Sequence, residues 1–305
     1  MNDLRIIFMG TPEFAVPSLE ILVEHQFNVV AVITAPDKPQ GRGQKITFSP
    51  VKESALKHNI PVLQPTNLKS PQFLEELKSY HANLQVVVAF RMLPEIVWSM
   101  PEFGTFNLHA SLLPQYRGAA PINWAIINGE RETGVTTFFL KHEIDTGSII
   151  FQEKEAIYET DNVGSLYERL MNKGAGLVLK TVEAIASEEY PSLPQLETGN
   201  IKHAPKIFKE TCQINWNQSA EHIHNFVRGL SPYPAAWTTL NGKTFKIFKT
   251  KVLPTQLNSD TGQIQTDNKT YLYHQTSNGR ISIEELQPEG KKRMGIEEFF
   301  RGNKI

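Results

Sequence analysis

The chain has 305 residues, 40% of them hydrophobic and 21% charged, with a formal net charge of −1. That balance excludes a disordered tail and is enough to bury the cores of two domains, while the longest apolar runs, such as VVVAF (86–90), fall far below the roughly 18 residues of a membrane span. A single cysteine, Cys212, excludes an internal disulfide, and the start MNDLRIIFMG resembles neither a secretory signal nor a transit peptide, so a soluble, cytoplasmic protein is expected.

In chain order, LRIIFMG (4–10) reads as a strand, PSLEILVEH (17–25) as a helix and FNVVAVIT (27–34) as the next strand. The Gly- and Pro-containing stretch TAPDKPQGRGQKITFSP (34–50) then spans 17 residues. About two to six usually suffice for such a connection. The helix VKESALKHN (51–59), the short strand PVLQ (61–64), the helix FLEELKSY (73–80) and the strands LQVVVAF (84–90) and TFNLHA (105–110) follow. PINWAIING (121–129) reads as a helix bounded by Pro and Gly, and GVTTFFL (134–140) as a strand. Strand and helix alternating in this way predict an α/β domain, a doubly wound, mostly parallel sheet that binds ligands beyond the carboxyl ends of its strands.

NVGSLYERLMNKGAGLVLKTVEAIA (162–186) has the longest helical pattern, and SEEYPSLPQLETGN (187–200) has the composition of a linker. Domains are therefore expected at 1–189 and 206–305, joined by 190–205. The C-terminal part begins with a helix, NQSAEHIHNFVRGL (217–230), and continues in short alternating segments such as TFKIFKTKVL (244–253) and RISIEELQP, with NG turn signals at 241 and 278. A small OB-like β-barrel is expected there. Charge divides along the same boundary: residues 1–205 carry 17 Lys and Arg against 23 Asp and Glu, and residues 206–305 carry 14 against 9. Such a basic module either meets a polyanion or simply presents a solvated surface.

Several chemistries lack their residues. There is no GxGxxG, no phosphate-binding GxxxxGK[ST] and no GxSxG, and His222 and His224 stand two apart on a helix, where they do not share a face, so no metal centre is expected. What remains is FNLHASLLPQYRGAAPINW (106–124). Asn107 and His109 lie at the end of a predicted strand and project to one side, because strand side chains alternate. Asp145, in HEIDTGSII on a turn after the strand GVTTFFL, is the candidate later carboxylate; in isolation it could simply cap its turn.

NLHASLLPQYRGAAPINW followed by IDTG resembles the folate-dependent formyltransferases. GTPEFAVPSL, PDKPQGRG with SPVK, RGAAPI, APKI, SPYPAAW and LQPEGKKRM extend the likeness over nearly the whole chain, to the branch that formylates methionyl initiator tRNA for translation. The resemblance implies that Asn107, His109 and Asp145 are catalytic, with Asn107 and protonated His109 donating to the developing oxyanion and Asp145 orienting the imidazole or holding a relay water. It implies a 10-formyltetrahydrofolate donor held by Ser111, Leu112, Leu113 and Pro114 on one side and by Phe90, Arg91, Met92 and Leu93 on another. It further implies that the loop at 34–50 reaches the acceptor stem through Arg42, with Lys38 and Lys45 beside it, and that the basic domain binds tRNA through Lys246 and Lys249. A monomer is expected. Compared with many relatives, Arg91 and Met92 replace Gly and a different apolar residue, Lys38 replaces Arg and Phe48 replaces Pro. Two rival readings are a formyltransferase of the same fold acting on a small amine, such as glycinamide ribonucleotide or an amino sugar, and a non-catalytic tRNA- or folate-binding protein.

Overall fold

The computed structural model describes residues 3–40, 45–196, 199–254 and 261–305. They form two compact units, one of Met1–Arg117, Gly134–Glu155 and Glu168–Lys202, the other of Gly118–Thr133, Ala156–Tyr167 and His203–Ile305.

The elements run in chain order as β1 (Arg5–Gly10), α1 (Val16–Glu24), β2 (Asn28–Ile33), β3 (Lys38–Gln40), β4 (Lys45–Thr47), α2 (Pro50–Lys57), β5 (Val62–Leu63), α3 (Pro71–Ser79), β6 (Leu84–Val88), α4 (Glu95–Trp98), β7 (Thr105–His109), β8 (Arg117–Gly118), α5 (Pro121–Ile127), β9 (Glu132–Phe139), β10 (Ile149–Ala156) and α6 (Val163–Ala186). Seven strands form one sheet in the order β10-β9-β7-β6-β1-β2-β5. The pairings of β1 with β2 and β6, of β2 with β5 and of β6 with β7 are parallel, while β7 pairs with β9 antiparallel. The mostly parallel sheet is thus present, with β7 near its middle. Pro at the first helical position and an N-cap serine start α2 and α3, where Ser49 Oγ accepts from Lys52 N (3.1 Å) and Ser70 Oγ accepts from Phe73 N (3.3 Å). Each cap contributes about 1 kcal/mol.

One sheet face packs Ile7, Met9, Ile33 and Val87 against Phe73, Leu77 and Val97 from the helices. On the opposite face Leu108 meets α6, where a Cβ at Gly174 would lie 2.7 Å from Leu108 Cδ2, and Thr137 bonds Thr181 (2.9 Å). Alternation along β7 therefore turns Asn107 and His109 away from α6.

The second unit contains α5, β11 (His203–Ala204), α7 (Ala220–Leu230), β12 (Ala236–Leu240), β13 (Lys243–Leu253), β14 (Ile264–Thr266), β15 (Leu272–Gln275), β16 (Arg280–Pro288), β17 (Met294–Gly295) and α8 (Ile296–Phe300). Its six-stranded sheet runs β12-β13-β16-β15-β14, with β17 also on β16, and these strands pair antiparallel. The open strand order makes it a half-barrel. Ile223, Val227, Ile247, Ile281, Leu286 and Phe299 form its core.

Within this unit His274 is 5% exposed, stacks on Trp216 (centroids 3.6 Å apart) and has Nδ1 3.1 Å from Gln275 O. Burial pushes its imidazole from 6.5 down to about 4, against the smaller opposing effect of that hydrogen bond. The folded state therefore holds it neutral where the unfolded chain binds a proton. Stability is complete above pH 6.5 and falls as pH drops toward about 4, by on the order of 3 kcal/mol. Urea midpoints measured across this range should fall more steeply for the native protein than for His274→Asn, which keeps a donor but does not titrate; parallel curves would refute the assignment. His224, also pushed down by burial, is common to both proteins and cancels.

Candidate active site

The site is built outward from the carboxyl end of β7. Asn107 lies in register between Val87 of β6 and Phe138 of β9, and His109 lies opposite Thr136. Among the described residues none bonds the Asn107 side-chain amide, so its N–H groups are available to a ligand.

His109 is buried, with Nε2 2.9 Å from the Tyr116 main-chain oxygen. A carbonyl can only accept, so Nε2 carries a proton in both charge states, and the neutral ring keeps its lone pair on Nδ1. Nδ1 faces Asp145, at 3.8 Å from Oδ2. That is too long for a direct hydrogen bond. It leaves Nδ1 as the nitrogen able to exchange a proton with a reacting group. Of the two ring nitrogens only this one is not already engaged by Tyr116, so either expected role of His109, donor to an oxyanion or carrier of a proton, would have to pass through Nδ1.

The loop after β7 is fixed from below. Ser111 is fully buried, its Oγ donating to Gln115 O (2.6 Å). Thr136 Oγ1 donates to Ser111 O (2.6 Å) and accepts from Leu113 N (3.2 Å), while Gln152 Nε2 donates to Leu113 O (2.9 Å) and to Thr136 Oγ1 (2.9 Å). The Leu113–Pro114 peptide is cis. Tyr116, at φ 60°, turns the chain and donates its N–H to Lys202 O (2.6 Å). Leu113 is buried and Pro114 half-buried. Leu112 packs on β9, its Cδ2 lying 2.6 Å from where a Cβ of Gly134 would be.

Asp145 has φ 56°, in the left-handed region that Asp tolerates better than most residues. The turn is closed by Gly147, where a Cβ would lie 1.5 Å from Phe139 O. Gln195 Nε2 donates to Asp145 O (2.8 Å) and Gly147 O (2.9 Å). Leu193 also bridges Ile149 through two main-chain bonds of 2.7 and 2.9 Å, so Leu193 and Gln195 do more than connect.

Beyond β6, Ala89 adopts φ 48° and the chain turns away from the strand. Phe90 is half-buried and Met92 is 72% exposed, whereas Leu93 belongs to the sheet core. Arg91 donates to Pro65 O and, at 3.2 Å, to Thr66 O. Arg91 thereby ties this segment to the chain that follows β5. Ile96 and Ile144 are also exposed, at 52% and 59%.

The long connection at 34–50 contains the β3–β4 hairpin, which its Gly and Pro content had concealed. Its stem is tied down where Asp37 bonds Lys52 Nζ (2.5 Å) and Gln64 Nε2 (2.8 Å). Lys52 lowers the Asp37 carboxyl below its usual range, with Gln64 adding to it. Lys38 is exposed; Arg42 and the Lys45 side chain lie outside the described residues.

The sequence profile of the formyl transferase family matches residues 4–182, and that of the formyl transferase C-terminal domain matches residues 206–304. The chain belongs to the formyl transferase family. The methionyl-tRNA formyltransferase of Bacteroides fragilis is 54% identical over 99% of this chain and 95% of its own length, and that of Azobacteroides pseudotrichonymphae is 56% identical over 99% and 97%. Among solved structures, the sugar 3N-formyl transferase WlaRD has a TM-score of 0.69 at 23% identity over 96% of this chain and 100% of its own. HypX from Aquifex aeolicus has 0.66 at 19% over 99% and 49%. These last two show the shared fold.

In this formyl transferase several residues of the site carried no motif signal. Thr136, Gln152 and Gln195 stand in stretches that read as a strand, an unassigned polar segment and a linker, and the Tyr116 contact is made by main chain. A buried polar residue within an apolar strand, as in GVTTFFL, was the one available clue.

The basic positions of the second unit owe their common face to a defect. β13 shifts register against β16 around Lys249, and Ile247 and Phe248 are buried in succession. Strict alternation from exposed Lys246 would turn Lys249 and Lys251 inward; the bulge returns both to the exposed side. A cleft of about 750 Å³ in this unit is lined by Lys206, Lys209, Lys246, Phe208, Tyr233 and Trp237, among others. Among the described residues there is no group of three metal-binding side chains and no helix long and apolar enough to cross a membrane.

Proposed function

We propose that the chain transfers the formyl group of 10-formyltetrahydrofolate to the α-amino group of methionyl initiator tRNA, with Asn107, His109 and Asp145 as the reacting set. The observation that carries this reading is the convergence of those side chains at the end of β7, in a chain whose relatives named methionyl-tRNA formyltransferase match it over nearly full length. The amine nitrogen attacks the formyl carbon, negative charge gathers on the formyl oxygen, and the C–N bond to the folate nitrogen breaks as that nitrogen takes up a proton. Asn107 supplies N–H groups to the oxygen, the kind of stabilisation that often contributes most to such reactions. His109 Nδ1 accepts the proton lost by the amine, and Asp145, 3.8 Å away, stabilises the imidazolium by its charge or through a water bonded to both groups from the side. No metal is required by this donor set.

The folate reading rests on the chemistry of the walls. Ser111 to Pro114 offer a main chain held by Thr136 and Gln152, a suitable edge for reading the polar side of a pterin. Exposed Met92 and Ile144, with half-buried Phe90, are apolar surfaces suited to cover an aromatic donor. The assay is formyl transfer with 10-formyltetrahydrofolate to methionylated initiator tRNA, run beside free methionine and glycinamide ribonucleotide. Formylation of the charged tRNA alone is expected; transfer to a small amine instead would refute the tRNA reading.

The tRNA reading also assigns Arg42, Lys38 and Lys45 to the acceptor stem and Lys246 and Lys249 to the backbone. Lys249 lies 3.4 Å from Glu284 while remaining 60% exposed, a pair that phosphate can displace at little cost. Phosphate contacts make binding salt-dependent, each adding about 0.9 to the slope of log K against log salt on a duplex. Lys246→Ala with Lys249→Ala should therefore flatten that slope by nearly 2 in a tRNA titration. An unchanged slope would remove both lysines from the interface. The domain roles follow: residues 1–189 carry the chemistry, and residues 206–305, after the 190–205 linker, carry the tRNA. The protein is expected to act as a monomer in the cytoplasm.

A further inference from the structure

We infer that Gln195, from the segment that joins the two expected domains, is a positioning residue that sets the geometry of Asp145, and that Arg117 fixes the orientation in which it does so. Both protons and both lone pairs of the Gln195 amide are used. Nε2 donates to Asp145 O at 2.8 Å and to Gly147 O at 2.9 Å, while Oε1 accepts from Arg117 Nε at 3.1 Å and Nη2 at 2.7 Å. A guanidinium has only donors, so Arg117 decides which end of the amide faces it and leaves the N–H end for the Asp145 turn.

The turn needs such support. Asp145 holds φ 56°, a conformation that a residue with a side chain adopts at a cost and keeps only where its surroundings determine it. The two carbonyls bonded by Gln195 flank Thr146, so one amide pins both ends of the three-residue segment carrying the carboxylate. The Asp145–His109 separation of 3.8 Å depends on that segment, and a displacement of about 1 Å at a reacting group can cost about a hundredfold in rate. Two features left without a role in the chemistry, the arginine of RGAAPI and the glutamine of the presumed linker, acquire one together.

This rests on the assignment of Asp145 to the chemistry, so the test carries Asp145→Asn as its reference. Gln195→Met keeps the length of the side chain and removes all four hydrogen bonds. Gln195→Glu keeps an acceptor for Arg117 but turns an oxygen toward the carbonyls of Asp145 and Gly147. Both should lower kcat for formyl transfer by about tenfold to a hundredfold, with KM for tRNA and for folate within about threefold of native. Added to Asp145→Asn, Gln195→Met should cause no further loss, since it acts through a carboxylate already gone; a purely structural role would add its own loss.

Native kcat in the Gln195 variants, losses that add to Asp145→Asn, or a change confined to KM would each overturn the inference while leaving the site intact. Native kcat in Asp145→Asn would remove the site assignment and the inference with it. Should Gln195→Met fold poorly by circular dichroism, Arg117→Met supplies the reading: it leaves Gln195 in place but free to rotate its amide. It should show the same confinement to kcat at a loss of about three- to tenfold, and unchanged kcat would count against the inference.

Discussion

Replacing His109 with alanine should lower kcat for formyl transfer by about a thousandfold, within the 10²–10⁴ range of general acid–base catalysis, while leaving tRNA affinity unchanged. The affinity should hold because His109 is buried at the end of β7 and its polar atoms face Tyr116 O and Asp145. Alanine also removes the donor to Tyr116 O, so part of any effect could come from a loosened loop rather than from lost proton transfer. His109→Gln separates the two. The glutamine Nε2 can occupy the place of the imidazole Nε2 and keep the bond to Tyr116 O, but it offers no titrating nitrogen at Nδ1. The two variants should therefore differ in thermal midpoint, with glutamine nearer to native, and be alike in kcat. If His109→Gln turned over within tenfold of native, Nδ1 would not be the proton acceptor, and an amine deprotonated by solvent would have to replace it.

The strand of the candidate site was legible because two elementary regularities coincide on it. Period-two alternation puts Asn107 and His109 on one side of β7, and a strand inside a mostly parallel sheet ends where ligands bind. Asp145 stood out from its residues only as a candidate, since nothing local distinguishes it from a turn-capping aspartate; the family resemblance is what favoured it.

What escaped the sequence was made by tertiary contacts. IIFQEKEA (149–156) interleaves charged with apolar residues because β10 lies at the end of the sheet order, and so gave a weaker strand signal than the mostly apolar, fully buried β6. Leu93 reads as pocket wall from its place after VVVAF, yet the left-handed turn at Ala89 redirects the chain and sends Leu93 into the core. The tautomer of His109 depends on a carbonyl seven residues away that has no side-chain signature. Gln195 sits among Pro, Ser and Glu in a stretch without periodicity, and its importance comes from what lies opposite it.

Gly147→Ala should be the most damaging small substitution in the described part of the catalytic unit. The added methyl would lie 1.5 Å from Phe139 O and 2.7 Å from Phe139 C, both main-chain atoms, so no side-chain rotation relieves the overlap. Phe139 cannot retreat freely: its N–H bonds Ser148 O at 3.0 Å, and the next residue, Leu140, bonds Thr105 O at 2.8 Å at the foot of β7. The strain must therefore move either the Asp145 turn or the end of β9. Overpacking of this kind costs up to about 3 kcal/mol in stability, and displacing the turn by about 1 Å costs about a hundredfold in kcat. Gly176 is the matched control. It lies on α6, where a Cβ would meet nothing within 4 Å, and alanine there should be neutral or slightly stabilising because glycine is the poorer helix former. If Gly147→Ala retained native kcat with only a lowered thermal midpoint, the turn would tolerate displacement, and Asp145 could not need its observed position beside His109.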